Sequence, residues 1–264
     1  MPTPETISVS QINLYRTCSL KYRFQYIDQL PKLTRPVPLV FGSAVHATLE
    51  WLHKARKAGG QPPLDDLLRV FEADWHAQCL DVEILFPDTS AAQFLVKGKE
   101  LLSAYYHRPP RPVQDAEVFF QVPLVNPVTG EVLEVPLRGV MDLIEADGTL
   151  IEFKTSLRRV PVAELPDQVQ LTAYSYAYEL LFGRAPTALQ LVNLVRTRQP
   201  AIEVHKTDRN KQDYERFFYL AKEVHRGIQT SVFIPNRGCW LCKDCEYERD
   251  CREWTGNEDQ QAGV

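Results

Sequence analysis

The chain has 264 residues and a net charge of −4, with 44% hydrophobic and 24% charged residues, the make-up of an ordinary globular protein able to bury a core. No apolar run reaches the length of a membrane span, and the opening MPTPETISVS lacks the basic-then-apolar pattern of an export signal, so a cytoplasmic protein that meets no membrane is expected. The overall acidity gives no support to nucleic-acid binding, but residues 1–60 carry +5 against −9 over the rest, which allows a basic surface near the N-terminal helices.

In chain order, Ser8-Val9-Ser10-Gln11 reads as a capping box that starts a helix running to about Asp28 and carrying Cys18 among several aromatics. Pro31, Pro36 and Pro38 predict an extended linker. A second helix over 42–58 ends at Gly59-Gly60 and sets His46, Glu50 and His53 on one face. Helices over 64–80 and 90–107 follow, and Pro109, Pro110 and Pro112 close this helical half. Strands are expected over 115–124 and 131–145, then over 149–154. A helix over 168–182, stopped by Gly183, shows Gln170 and Tyr174 on one face. Strands over 187–197 and 201–206 and a helix over 208–229 complete the pattern, and residues 255–264 read as a disordered tail. This order predicts an α/β fold, a mixed central sheet flanked by helices. It makes one domain over 1–254: mainly helical over 1–112, a sheet core over 113–206, and a C-terminal helix and cysteine segment over 207–254.

The segment 138–154, RGVMDLIEADGTLIEFK, carries the chemistry. Two β-rich runs flank Asp147-Gly148, a strong hairpin signal. A three-residue loop 146–148 with Gly148 left-handed sets Asp142 opposite Glu152 on one face, and Lys154 projects from that face too. A two-residue loop would turn Asp142 away. Two carboxylates at such a distance repel unless a divalent cation lies between them, and Mg²⁺ takes one or two carboxylates together with phosphate oxygens. Such an ion activates a bound water, while Lys154 would stabilise growing negative charge. The plainer alternative is a surface hairpin with an ion pair. The alternation of Ile151 and Phe153 with Glu152 and Lys154, and the apolar neighbours of Asp142, argue for the buried site.

Five of six cysteines fall at Cys18 and at Cys239, Cys242, Cys245 and Cys251. In a cytoplasmic chain such clustering argues for metal or cluster ligation. The C-x2-C-x2-C spacing is similar to that of iron–sulfur proteins, and a structural Zn²⁺ held by the four C-terminal thiolates is the alternative. Cys79, alone on a predicted helix, reads as a packed residue.

Together the motifs resemble those of PD-(D/E)XK nucleases of the RecB-like group, particularly the iron–sulfur exonucleases associated with CRISPR adaptation. The likeness covers roughly residues 7–253 and rests on SVSQINLYRTCSLKYRFQYI, FGSAVHATLE, GVMD with IEFK, QVQLTAY and FIPNRGCWLCKDCEYERDC, in that order. The resemblance implies that His46, Asp142, Glu152 and the Phe153 carbonyl bind Mg²⁺ or Mn²⁺, that Lys154 is the catalytic lysine, and that Gln170 and Tyr174 serve the active site or position DNA. It also implies a [4Fe-4S] cluster on Cys18, Cys242, Cys245 and Cys251, with Cys239 a surplus candidate. The activity implied is exonuclease cleavage of single-stranded DNA ends, in DNA repair, recombination or CRISPR adaptation, with an adaptation or helicase–nuclease complex as partner. The competing function is a catalytically silent, DNA-end-binding subunit.

Overall fold

A computed structural model describes residues 4–32, 34–81, 83–85 and 90–254; the tail expected at 255–264 lies outside them. In chain order the elements are β1 (Ile7–Ser8), α1 (Val9–Thr17), α2 (Ser19–Tyr22), β2 (Thr34–Pro36), α3 (Val37–Lys57), α4 (Leu64–Asp81), β3 (Glu83–Leu85), α5 (Ala91–Tyr106), β4 (Val113–Val122), β5 (Leu137–Glu145), β6 (Thr149–Ser156), α6 (Val169–Phe182), β7 (Ala188–Val195), β8 (Ala201–Thr207), α7 (Lys211–Gln229) and α8 (Glu248–Glu253). They divide into two compact units, one built from 1–33, 121–138 and 211–264, the other from 34–120 and 139–210.

The second unit holds most of the sheet. Strand β6 pairs antiparallel with β5 and parallel with β7, and β7 pairs antiparallel with β8. The parallel step from β6 to β7 is bridged by α6, the crossover that parallel neighbours require. Helices α3, α4 and α5 bury Phe41, Phe71, Trp75, Phe94 and Leu101 against Leu143, Ile151, Phe153, Val192 and Leu194 of the strands. The hairpin turns as its sequence predicts: Gly148 has φ +84, the Gly148 amide donates to the Glu145 carbonyl at 2.9 Å, and Leu143 pairs with Ile151.

The first difference from the expected pattern lies at the start of α3. It begins at Val37, five residues before Gly42. Pro38 falls in its first turn, where the missing N–H would be unpaired in any case, and Pro36 is its N-cap, so two of the three prolines expected in a linker start the helix. Strand β5 likewise begins at Leu137 and not at 131, directly after Pro136, which has no N–H to offer a ladder.

In the first unit, α1 carries the expected capping box, Ser8 N donating to Gln11 Oε1 at 2.8 Å and Gln11 N to Ser8 Oγ at 3.3 Å. The helix does not run on to Asp28. It breaks at Cys18, which is extended (φ −157, ψ 100), and resumes as α2 and then as a π-helical turn over Arg23–Ile27. The backbone groups freed at the break are taken by the C-terminal segment. Asn236 Nδ2 donates to the Thr17 carbonyl at 2.8 Å, Leu20 N to the Ile234 carbonyl at 3.3 Å, and Ile234 N to Ser19 Oγ at 2.7 Å. Tyr15 adds a bond to the Val232 carbonyl at 2.6 Å. Chain segments more than 200 residues apart are thereby held side by side. Among the described residues, no helix is long and apolar enough to cross a membrane.

Candidate active site

The hairpin's ladder and its side chains explain the site together. Pairing runs through Ile144–Leu150 and Leu143–Ile151. One step further, at Asp142 and Glu152, the strands part, and the amide of Phe153 is taken by the Asp142 side chain, N to Oδ2 at 2.7 Å. That bond fixes one oxygen of a largely buried carboxylate. The other, Oδ1, lies 3.5 Å from Nδ1 of His46, carried on α3. Glu152 is 1% exposed, and its Oε1 meets Lys154 Nζ at 2.6 Å, while Oε2 has no hydrogen-bond partner among the described residues. Lys154 Nζ also donates to Gln170 Oε1, and Gln170 Nε2 donates to Tyr174 OH at 2.9 Å, both on α6. The helical spacing of Gln170 and Tyr174 thus ends in a chain from Glu152 through Lys154 to Tyr174.

Glu117, on β4, completes the cluster and is not among the residues expected from the sequence. One ligand atom each from His46, Glu117 and Asp142 lies within 4.8 Å of the others. Glu152 is outside that trio and tied to Lys154. Glu117 has φ +53, a left-handed conformation inside a strand, which costs about 1–3 kcal/mol and is typical of sites where backbone strain aims a side chain. The available sequence signal was an acid in the middle of the apolar run Ala116–Phe120.

Electrostatics reflect the crowding of carboxylates. Burial, reinforced by Asp142, pushes Glu117 up to about 7. Burial raises Glu152 as well, against the pull of Lys154. Burial alone would lower His46 and Lys154, but the Asp142 hydrogen bond holds His46 above its usual value, and the charge of Glu152 does the same for Lys154. Tyr174 is pushed up by burial and by Glu152. Three carboxylates thus share the site with one lysine and one histidine, and the orphaned Glu152 oxygen and the converging nitrogen and oxygen donors are what a hard divalent ion satisfies.

A family model for the PD-(D/E)XK nuclease superfamily matches residues 6–252. The chain belongs to the PD-(D/E)XK nuclease superfamily. Enzymes of that superfamily cleave nucleic acids with divalent metal ions, and the acidic cluster above can accept one. Among solved structures, the protein named "Putative exonuclease" from Eubacterium rectale is similar at 14% identity, with a TM-score of 0.62 over 98% of this chain and 94% of the other. At that identity the likeness concerns the PD-(D/E)XK fold. The structure of SSO0001 aligns over 92% of this chain and 96% of its own at 18% identity, but with a TM-score of 0.35, too low to support an argument. No curated protein matches the chain.

Five of the six cysteines gather in the first unit. Cys18, Cys239, Cys242, Cys245 and Cys251 line one pocket with Leu20, Phe24, Leu241 and Tyr247. Cys239 Sγ and Cys242 Sγ are 3.7 Å apart, so distance does not set Cys239 aside from the other four. Lys21–Glu246 at 2.5 Å and the Phe24–Tyr247 ring contact at 5.8 Å close the pocket's flank. Cys79 packs at the edge of the second unit's core, apart from that group. His53, which the sequence sets on one face of the helix with His46 and Glu50, is buried, with Nε2 2.9 Å from Tyr105 OH.

Proposed function

We propose that the protein is a divalent-metal-dependent deoxyribonuclease, an exonuclease acting on single-stranded DNA ends. The observation that supports it is the convergence of His46, Glu117 and Asp142 donors within 4.8 Å, in electrostatic reach of the Glu152–Lys154 pair. When bound, Mg²⁺ or Mn²⁺ supplies an activated water and a charge to offset the phosphate's. His46, Asp142 and Glu152 would hold it, with the Phe153 carbonyl, and Glu117 is placed to join them. Asp142 keeps its orientation through the Phe153 amide, so its free oxygen is preset for the ion. Lys154, turned toward Glu152 and steadied by Gln170, presents its ammonium to charge developing on the phosphate. Gln170 and Tyr174 fix that lysine and position the DNA strand. The preference for single-stranded ends, and a role in repair, recombination or CRISPR adaptation with an adaptation or helicase–nuclease complex as partner, rest on the resemblance of the five sequence motifs. A catalytically silent end-binding subunit would have no need of an intact Asp142, Glu152 and Lys154.

In the same proposal the first unit carries a [4Fe-4S] cluster on Cys18, Cys242, Cys245 and Cys251. Such a cluster would be structural, tying the N-terminal helices to the C-terminal segment and shielded by apolar neighbours such as Leu20 and Phe24. Zinc on the four C-terminal thiols is the alternative.

The test of activity is Mn²⁺-dependent cleavage of end-labelled single-stranded DNA by the wild-type protein and by Asp142→Ala. Release of nucleotides that disappears in the variant is expected. Cleavage at the wild-type rate by Asp142→Ala would overturn the assignment.

A further inference from the structure

A cavity of about 230 Å³ lies in the second unit, on the face of the sheet opposite the acidic cluster. Its floor is Leu143, Ile151 and Val192, and strand alternation puts these opposite the face that shows Asp142, Glu152 and Lys154. The register agrees, since Ile151 pairs with Gln190, also in the floor, and Glu152 pairs with Leu191.

The polar groups around this floor are nearly all donors. Arg56, Arg108, Arg111 and Lys206 line the cavity, and Glu145 is the one acid there. Arg111 is committed to that acid, Nε to Oε2 at 3.0 Å, and to Asp147. Arg56 and Arg108 lie over the rings of Tyr106 and Tyr105 at 5.8 and 5.7 Å. Neither they nor Lys206 has a carboxylate within ion-pair distance among the described residues. His53, 4% exposed, adds a fourth unanswered group. Its Nε2 and the Tyr105 hydroxyl are hydrogen-bonded at 2.9 Å. That buried Nδ1 has no partner. A buried ring nitrogen left unpaired costs about 1–3 kcal/mol.

We infer that this cavity is a binding site for a small phosphomonoester, a phosphate dianion carried on a ring-shaped, largely apolar body such as a nucleoside or a sugar. Three cations without an ion-pair partner suit a dianion better than a single carboxylate, and guanidinium groups match phosphate geometry. The apolar floor takes the body, and the volume exceeds that of a lone ion. The inference is independent of the metal cluster's chemistry, because none of its residues belongs to that cluster.

Titration calorimetry on the full chain in the presence of a chelator tests it, with adenosine 5′-monophosphate, ribose 5-phosphate and inorganic phosphate as probes. The nucleotide or the sugar phosphate should bind at least tenfold more tightly than inorganic phosphate, and whichever of the two is tighter identifies the source of the phosphomonoester. Lys206→Ala, at an exposed strand position, and Arg108→Ala should each weaken that binding about tenfold, while Asp142→Ala should leave it unchanged. No binding, binding insensitive to Lys206→Ala, binding lost in Asp142→Ala, or equal affinity for inorganic phosphate would each overturn the inference. So would a single-stranded oligonucleotide that depends on Lys206 when the mononucleotides do not bind, since the cavity would then be part of a nucleic-acid path.

Discussion

Acid should destabilise the second unit through one residue, His53. Its ring is stacked on Phe153 at 5.8 Å and 17° and bonded to Tyr105, and burial, helped by the charge of Arg56, lowers its pKa from 6.5 to about 3. A histidine whose folded pKa lies below its unfolded value binds more protons in the unfolded chain between the two. Its contribution to stability is therefore complete above about pH 6.5 and is lost as the pH falls toward 3. Each pH unit inside that window costs about 1.4 kcal/mol. Between pH 7.5 and 5.0 the loss comes to about 2 kcal/mol, a figure set by the unfolded pKa and insensitive to whether the folded one is 3 or 4. Urea unfolding can be followed by the fluorescence of Trp75, which is 1% exposed in the same core. Wild type and His53→Gln, which can still bond Tyr105, should differ in their change from pH 7.5 to 5.0 by about 2 kcal/mol, the wild type losing more. Every other titrating group cancels in that difference. Parallel pH dependences for the two proteins would refute the burial of a neutral imidazole at this position.

On the proposed chemistry, Lys154→Ala should cut the cleavage rate by about 10²–10³-fold while Mn²⁺ still binds in calorimetry; lost metal affinity would make the lysine a partner of the carboxylates and nothing more. Anaerobically purified protein should be brown, with Cys18→Ser bleaching it and Cys239→Ser leaving the colour; a colourless protein with one zinc, indifferent to Cys18→Ser, would assign the thiols to zinc. Gly98→Ala places a Cβ 2.0 Å from Cζ of the fully buried Phe71. Alanine gains about 1 kcal/mol of helix propensity there, but overpacking costs about 1–3 kcal/mol, so a lower Tm is expected, and an unchanged or higher one would contradict the packing.

What could be read from the sequence follows the range of the interactions involved. The hairpin register was legible because a left-handed Gly148 and strand alternation are local, and those two facts alone bring Asp142 opposite Glu152. The helix carrying Gln170 and Tyr174 was legible for the same reason. The break at Cys18 was not, since its cause is Ile234 and Asn236, more than 200 residues away, binding backbone groups that an isolated helix would keep. The start of α3 lies earlier than the sequence predicts because proline breaks a helix only in its interior, and Pro38 occupies the first turn, where it does no harm.

Glu117 is the deeper case, because no local rule selects it. A strand acid with φ near +53 breaks both the alternation and the backbone preference of its segment, and from the sequence either departure would argue against the position being ordered at all. Its placement becomes intelligible only with His46 on α3 and Asp142 on β5 beside it: three ligand atoms from three separate elements within 4.8 Å. Burial, and after it the charge of Asp142, push Glu117 up to about 7 against the pull of His46. Packing alone gives no reason to bend a strand in order to add a third carboxylate to two already buried, whereas a bound dication does. The strain at Glu117 thus argues for the metal more directly than the motif residues, which a hairpin with an ion pair could also have supplied.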